Sequence, residues 1–168
     1  MKIHINLNNT DWNNTISQLE QYRHNLISKT NEVAKRLAEY GLMVAQVKLS
    51  NAGIGNFPGD RIYIEERENN TFAVCAESEE ILFLEFGTGI TYSGNRHPQS
   101  DEFGYGAGTY PSEKQNWNNP NGWWYYDEYA GRYVHTIGNP PLMMMYDTSK
   151  EMRNRIENIV KEVFGNHD

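Results

Sequence analysis

Apolar residues recur at spacings of three, four and seven over residues 12–49, a pattern typical of an amphipathic helix. They form one stripe, which Arg23 and Thr30 interrupt. Its members are Ile16, Leu19, Leu26, Val33, Leu37, Tyr40, Val44 and Val47. The pattern favours a long helix laid over a sheet, and a coiled-coil partner is the alternative. Gly41, inside the helix, marks either a bend or a place where another backbone comes close.

A second helical pattern follows Pro140 and Pro141, which suit the first turn of a helix because a missing N–H matters little there. One face collects the apolar positions and a serine. Its members are Leu142, Met145, Ser149, Met152, Ile156, Ile159 and Val163. Gly165 is expected to end this helix.

Strand-like alternation fills much of the remaining chain. Residues 61–67 and 71–77 read as a hairpin that turns at 68–70, and residues 123–126 and 132–136 read as a second hairpin. Residues 3–7 are a further short candidate strand. We therefore predict an α+β fold in which a small antiparallel sheet, built mainly from the two hairpins, packs against the N-terminal and C-terminal helices. The residues expected to be buried are Leu26, Val33, Leu37, Val74, Leu84, Phe86, Met152 and Ile156.

Between the hairpins, the apolar run 81–86 ends abruptly in Gly87-Thr88-Gly89. Sequence alone leaves open whether this run is a strand or a short helix. The glycines can take positive φ and so allow a sharp turn. Glu85 is unusual because a carboxylate bracketed by apolar residues risks burial, and a buried carboxylate needs a partner. We expect a structural role for Glu85, with its partner in the adjacent turn: the backbone N–H groups there or the Thr88 hydroxyl.

Leu84-Glu85-Phe86-Gly87-Thr88-Gly89 resembles the Glu-Phe-Gly-Thr-Gly signature of the phage tail-component proteins that are similar to gene product ten of a lambda-like siphophage. The order of elements is also similar, and Asn139-Pro140-Pro141-Leu142-Met143 resembles the family's entry into its last helix. The resemblance covers roughly residues 20–164. Two features depart from the family pattern: Ser50-Asn51-Ala52-Gly53-Ile54-Gly55 replaces its usual motif after the first helix, and the loop after the signature is unusually long.

The resemblance implies a non-enzymatic virion assembly protein, acting as a head–tail connector, tail completion protein or minor tail component. It implies a ring of identical copies, a hexamer in the virion, in contact with neighbouring neck and tail proteins. The implied location is the neck or tail of the virion, after assembly in the bacterial host cytoplasm.

Composition limits other classes of function. The 168 residues suit a single domain with an insertion at residues 91–122. The formal net charge is −7 and no basic patch is visible, so phosphate-dominated nucleic-acid binding is disfavoured. The mean hydropathy is −0.76, and no apolar run reaches the length of a membrane span. The single cysteine, Cys75, agrees with a reducing compartment and reads as a small core or semi-buried residue.

Chemistry-bearing residues are sparse. His97, His135 and Asp101 could join Glu85 or Asp127 at a metal, but no pair has a tight ligand spacing. His97 lies in a polar loop, where a solvated histidine is the default. We therefore predict no cofactor, no metal and no enzymatic activity.

The insertion and the second hairpin are dense in aromatic residues. Tyrosine and tryptophan are enriched at protein interfaces, but they also cover sheets and stack on sugars. An assembly interface, an intramolecular cover and a carbohydrate-binding module of the cell-wall type therefore stay open. The candidate interface residues are Tyr105, Tyr110, Trp117, Trp123 and Trp124. We expect the insertion to present contact surface and to be dispensable for the fold.

Overall fold

The computed structural model describes residues 9–52, 61–78, 80–90, 96–106, 109, 117–128 and 130–165. The helices are α1 (Asn9–Asn51), α2 (Ile81–Phe86), α3 (Ser100–Phe103) and α4 (Met144–Phe164). The strands are β1 (Arg61–Arg67), β2 (Thr71–Glu77), β3 (Trp123–Asp127) and β4 (Arg132–Thr136). The predicted strand at residues 3–7 and the interface candidate Tyr110 lie outside the described residues.

Helices α1 and α4 pack antiparallel to each other. Lys48 near the end of α1 lies 3.6 Å from Asp147 in the first turn of α4. At the other end, the Lys29 ammonium lies 5.5 Å from the ring of Phe164. Because α1 has 43 residues and α4 only 21, α4 covers the second half of α1 and the first half projects beyond it.

Small residues of α1 are buried on one face of the helix. Ala38, Gly41 and Ala45 are buried there. A Cβ atom added to Gly41 would lie 2.5 Å from Sδ of Met152 and 3.1 Å from a methyl carbon of Val74. Gly41 therefore makes room for side chains of α4 and β2, and not for a second backbone as one of the sequence alternatives had it.

Each hairpin has its expected pairing. In the first, Arg61 lies opposite Glu77 and Arg67 opposite Thr71. In the second, Trp123 lies opposite Thr136. The α+β prediction is confirmed. Among the described residues the hairpins form two separate two-stranded sheets, and only the first packs against α1.

The burial predictions hold for six of the eight residues and fail for Leu26 and Ile156. Leu84 and Phe86 are buried, and the other central positions are half-buried: Val33, Leu37, Val74 and Met152. Leu26 is 43% exposed because it lies where α1 projects past α4, and Ile156, at the edge of the buried face of α4, is 41% exposed.

The start and the buried face of α4 also differ from the prediction. The helix begins at Met144, so Pro140 and Pro141 precede it and do not form its first turn. Its buried residues are Met144, Thr148, Ile159 and Val163. The first two lie one position before the expected Met145 and Ser149. Gly165 ends the helix as predicted.

Candidate functional site

The carboxylate of Glu85 caps helix α4. Glu85 is 7% exposed, near the end of α2. One carboxylate oxygen accepts a hydrogen bond from the N–H of Met145 and the other from the N–H of Tyr146, each at 2.8 Å. These are the second and third residues of α4, whose N–H groups have no partner within the helix. A negative charge there also interacts favourably with the helix dipole.

The helix itself supplies no cap. Met143 precedes α4 in a left-handed conformation, with φ of 53°, and makes no side-chain capping bond. Helices commonly begin after Ser, Thr, Asp or Asn, whose oxygen accepts these bonds. The missing capping residue at Met143 is therefore the one sequence signal that the cap comes from elsewhere in the chain.

The local partners expected for Glu85 are wrong. The Thr88 hydroxyl instead donates to the side-chain oxygen of Asn139 at 2.6 Å and accepts from the Asn139 N–H at 3.1 Å. The Thr88 N–H donates to the Asn139 carbonyl at 2.9 Å. Residues of the Gly-Thr-Gly turn thus bind the segment before α4, and Glu85 binds α4 itself.

The signature glycines are needed where this segment crosses the turn. Gly87 has φ of 75°, and a Cβ atom there would lie 2.6 Å from the nitrogen of Pro141. Gly89 has φ of 78°, and its Cβ would collide with the carbonyl oxygen of Ile137. Both the positive φ and the close backbone approach exclude side chains. The predicted turn is confirmed, and its function is to let two segments pack backbone to backbone.

His97 lies inside this junction. The sequence predicted a solvated histidine, and that prediction is wrong because only 3% of His97 is exposed. Its Nε2 lies 3.2 Å from a carboxylate oxygen of Glu85, and its Nδ1 accepts the N–H of Gln99 at 3.1 Å. An accepting Nδ1 carries no proton, so the proton on Nε2 is donated to Glu85. The expectation of a solvated loop histidine failed because this part of the insertion folds back onto α2.

Aromatic residues of the insertion also pack on α2. The ring of Phe86 lies 6.1 Å from Phe103 and 5.7 Å from Tyr105, and the ring of Phe83 lies 4.8 Å from Trp117. Of the candidate interface residues, Tyr105 and Trp117 are thus placed against the fold. The described part of the insertion provides intramolecular cover.

The second hairpin presents aromatic residues to solvent. Trp124 is 67% and Tyr133 is 68% exposed, and Tyr126 and His135 share their face. Trp124 contacts His135, and Tyr126 contacts Tyr133, both nearly edge to face. Trp123, another candidate interface residue, is half-buried on the opposite face. We call the group Trp124, Tyr126, Tyr133 and His135 the aromatic face.

The candidate metal ligands do not converge. His97 and Glu85 meet, but Asp101 forms an ion pair with Arg96, Asp127 accepts the N–H of Ala130, and His135 contacts the carbonyl of Asn121. Within the described residues, no three His, Cys, Asp or Glu side chains are grouped as a metal would require. A hollow of about 370 Å³ lies over Glu85 and His97. Most of its other lining residues are apolar, and both of these groups are already hydrogen-bonded to the protein.

Cys75 is half-buried on β2 and its Sγ lies 3.6 Å from a carboxylate oxygen of Glu65. Burial raises the pKa of the Cys75 thiol, and the Glu65 carboxylate raises it further. Nucleophilic cysteines have lowered pKa values in electropositive surroundings. The environment of Cys75 is the opposite, in line with the structural interpretation of this residue.

Comparison of the chain with models of protein families, with curated proteins and with solved structures gives no match. In the part of the chain that the structure describes, none of the helices has the length and apolarity needed to cross a membrane.

Proposed function

We propose that this chain is a structural assembly protein of a long-tailed phage or prophage, placed at the head–tail joint or the proximal end of the tail. It acts through protein–protein contacts in a ring of identical copies, hexameric by the family resemblance, with neighbouring neck and tail proteins as its other partners. It carries no cofactor, metal or catalytic group.

The observation that carries the proposal is the Glu-Phe-Gly-Thr-Gly signature in its structural setting. Glu85 caps α4, Phe86 packs against the insertion, and Gly87 lets the chain cross closely. The motif by which the chain resembles the tail-component proteins thus has a structural task at these positions. A structural motif suits an assembly protein, because such a motif maintains the shape of the chain and does not take part in a reaction.

The aromatic face supplies a surface suited to a protein partner. Exposed aromatic residues clustered on one face are typical of interaction sites. A two-stranded sheet is also only marginally stable by itself, so a neighbour packed on it would stabilise it. The nearly edge-to-face rings differ from a set of parallel rings on which sugars could stack, so we favour a protein partner over a carbohydrate.

The charge balance supports protein contacts over a grip on DNA. The net charge of −7 gives no source of the counterion release that drives phosphate binding. DNA passing through such a ring would be repelled by it and not held.

The test is genetic. A nonsense mutation in the gene, placed in the phage or prophage that encodes it, should give unjoined heads and tails or defective tails by electron microscopy. A plasmid copy of the wild-type gene should restore infectious particles. Normal particles formed without the protein would contradict the proposal.

A further inference from the structure

The first half of α1 is exposed although its sequence has the pattern of a packed helix. From Trp12 to Ser28 every residue except Thr15 is exposed. This half lies beyond the end of α4, which reaches only to the level of Lys29. Its large apolar residues are nevertheless spaced like those of a coiled coil.

The exposed positions alternate in steps of four and three. We call Trp12, Ile16, Leu19, Arg23, Leu26 and Thr30 the outer stripe. This is the a/d repeat of a coiled coil, in which each stripe residue packs against a second helix. The repeat indicates what kind of partner fits: a helix of similar length with the same repeat.

A groove of about 310 Å³ lies at the inner end of the outer stripe. It is lined by Leu26, Ile27, Thr30 and Ala34 of α1 and by the hairpin turn at Asn69 and Asn70. At the other end of the stripe, 18 residues or about 27 Å away, stands the exposed indole of Trp12. The groove and a side chain suited to fill it therefore belong to the same chain but cannot meet within one copy.

We propose that two copies of this chain pair through the first halves of their α1 helices in antiparallel orientation, with Trp12 of each copy in the groove of the other. This register places Ile16 opposite Leu26 and Leu19 opposite Arg23. The same contact occurs twice about a two-fold axis, so the interface closes on itself.

The charges of the outer stripe fit this pairing. Position 21 lies on the two-fold axis, so Glu20 and Arg23 of both copies meet there, two charges of each sign. An arginine at a stripe position costs stability but fixes the register when it finds a carboxylate. The inference does not depend on the proposed role in the virion, because it concerns the purified protein.

The first experiment is sedimentation equilibrium of the purified protein from micromolar to millimolar concentration. The wild type should show a monomer–dimer equilibrium. Leu19→Lys should raise the dissociation constant at least tenfold, because the lysine faces Arg23 of the second copy. Val47→Lys, at an equally exposed position of α1 outside the outer stripe, should leave the dissociation constant unchanged.

Two results would overturn the proposal. One is a wild-type protein that stays monomeric throughout this range. The other is a Leu19→Lys variant that loses thermal stability while monomeric, which would show that the stripe is covered by the chain's own residues.

Cross-linking tests the orientation. In a Cys75→Ser background, Asn13→Cys combined with Ile27→Cys should give a covalent dimer with a short bismaleimide. Within one copy these positions are about 21 Å apart, too far for the reagent. Asn13→Cys alone should give no dimer, whereas a parallel pair would be captured by that single change. A dimer from Asn13→Cys alone, or none from the double variant, would refute the antiparallel pairing.

Discussion

The side chain of Glu85 accepts a hydrogen bond from the backbone N–H of Tyr146, 61 residues further along the chain. This bond joins the short helix α2 to the beginning of α4, across the whole insertion and the second hairpin. A carboxylate inside an apolar run is thereby explained without a reaction, since its charge completes a helix that lacks a cap of its own.

The first prediction concerns this cap. Glu85→Gln should fold but lose roughly 1–3 kcal/mol of unfolding free energy, because the amide has one acceptor oxygen and turns an N–H group toward another donor. Urea unfolding measures the loss. An unchanged unfolding free energy, together with loss of an enzymatic activity, would contradict the structural role of Glu85.

A second prediction concerns the insertion. The sequence suggested that it is dispensable for the fold, but its His97 is buried against Glu85 and its Trp117 packs on Phe83. Replacing residues 93–119 by a short Gly-Ser linker should therefore destabilise the protein, although closing a long loop costs little. His97→Phe, which keeps the ring but loses both hydrogen bonds, should reproduce part of that loss in urea unfolding. A linker variant as stable as the wild type would show that the insertion only adds surface.

The third prediction compares two leucines in different surroundings. Leu84→Ala should cost about 2–5 kcal/mol, since Leu84 is buried in the junction. Leu26→Ala in the exposed first half of α1 should cost less than about 1 kcal/mol in the monomer. Denaturant unfolding, measured at a protein concentration too low for association, gives the unfolding free energies of both variants. Equal costs would mean that other residues of the same chain cover the first half of α1.

The fourth prediction concerns the α1–α4 contact at Gly41. Gly41→Leu should cost about 1–3 kcal/mol, because its side chain would overlap Met152 and Val74. Gly41→Ala should change stability by no more than about 1 kcal/mol, since the better helix propensity of alanine offsets a small shift of the flexible Met152 side chain. Thermal unfolding of both variants gives the comparison, and a Leu variant as stable as the Ala variant would show that the helices are not in close contact here.

The fifth prediction concerns the aromatic face. The double variant Tyr126→Ser, Tyr133→Ser should fold with a change below about 1 kcal/mol but fail to support head–tail joining. Met43→Ser, an exposed residue of α1, serves as the control and should join tails normally. Titration of the wild type with oligosaccharides should leave its tryptophan fluorescence unchanged. Normal joining by the double variant, or a saturable fluorescence change, would favour the carbohydrate-binding alternative.

Features set by neighbouring residues could be predicted from the sequence. The alternation of residues 61–67 and 71–77 contains the hairpin register, and the glycines after Phe86 contain the turn. Both depend on backbone preferences over a few residues. The sequence also indicated a risk of burial for Glu85, because its neighbours are large and apolar.

Features set by segments far apart in the sequence could not be predicted in this way. Nothing near Glu85 or His97 shows that they meet each other and the start of α4, because the insertion brings them together only in the folded chain. Leu26 and Ile156 carry the helical spacing of core residues, yet both are exposed: Leu26 lies where α1 outreaches α4, and Ile156 lies at the edge of the face that α4 buries. A periodic pattern shows which face is apolar but not what covers it.

The copy number of the chain in purified virions tests the central claim most directly. Quantitative mass spectrometry, normalised to the major capsid protein, should find the number of copies that a ring requires, six for the hexamer that the resemblance implies. No copies, or a single copy per particle, would contradict the assembly role.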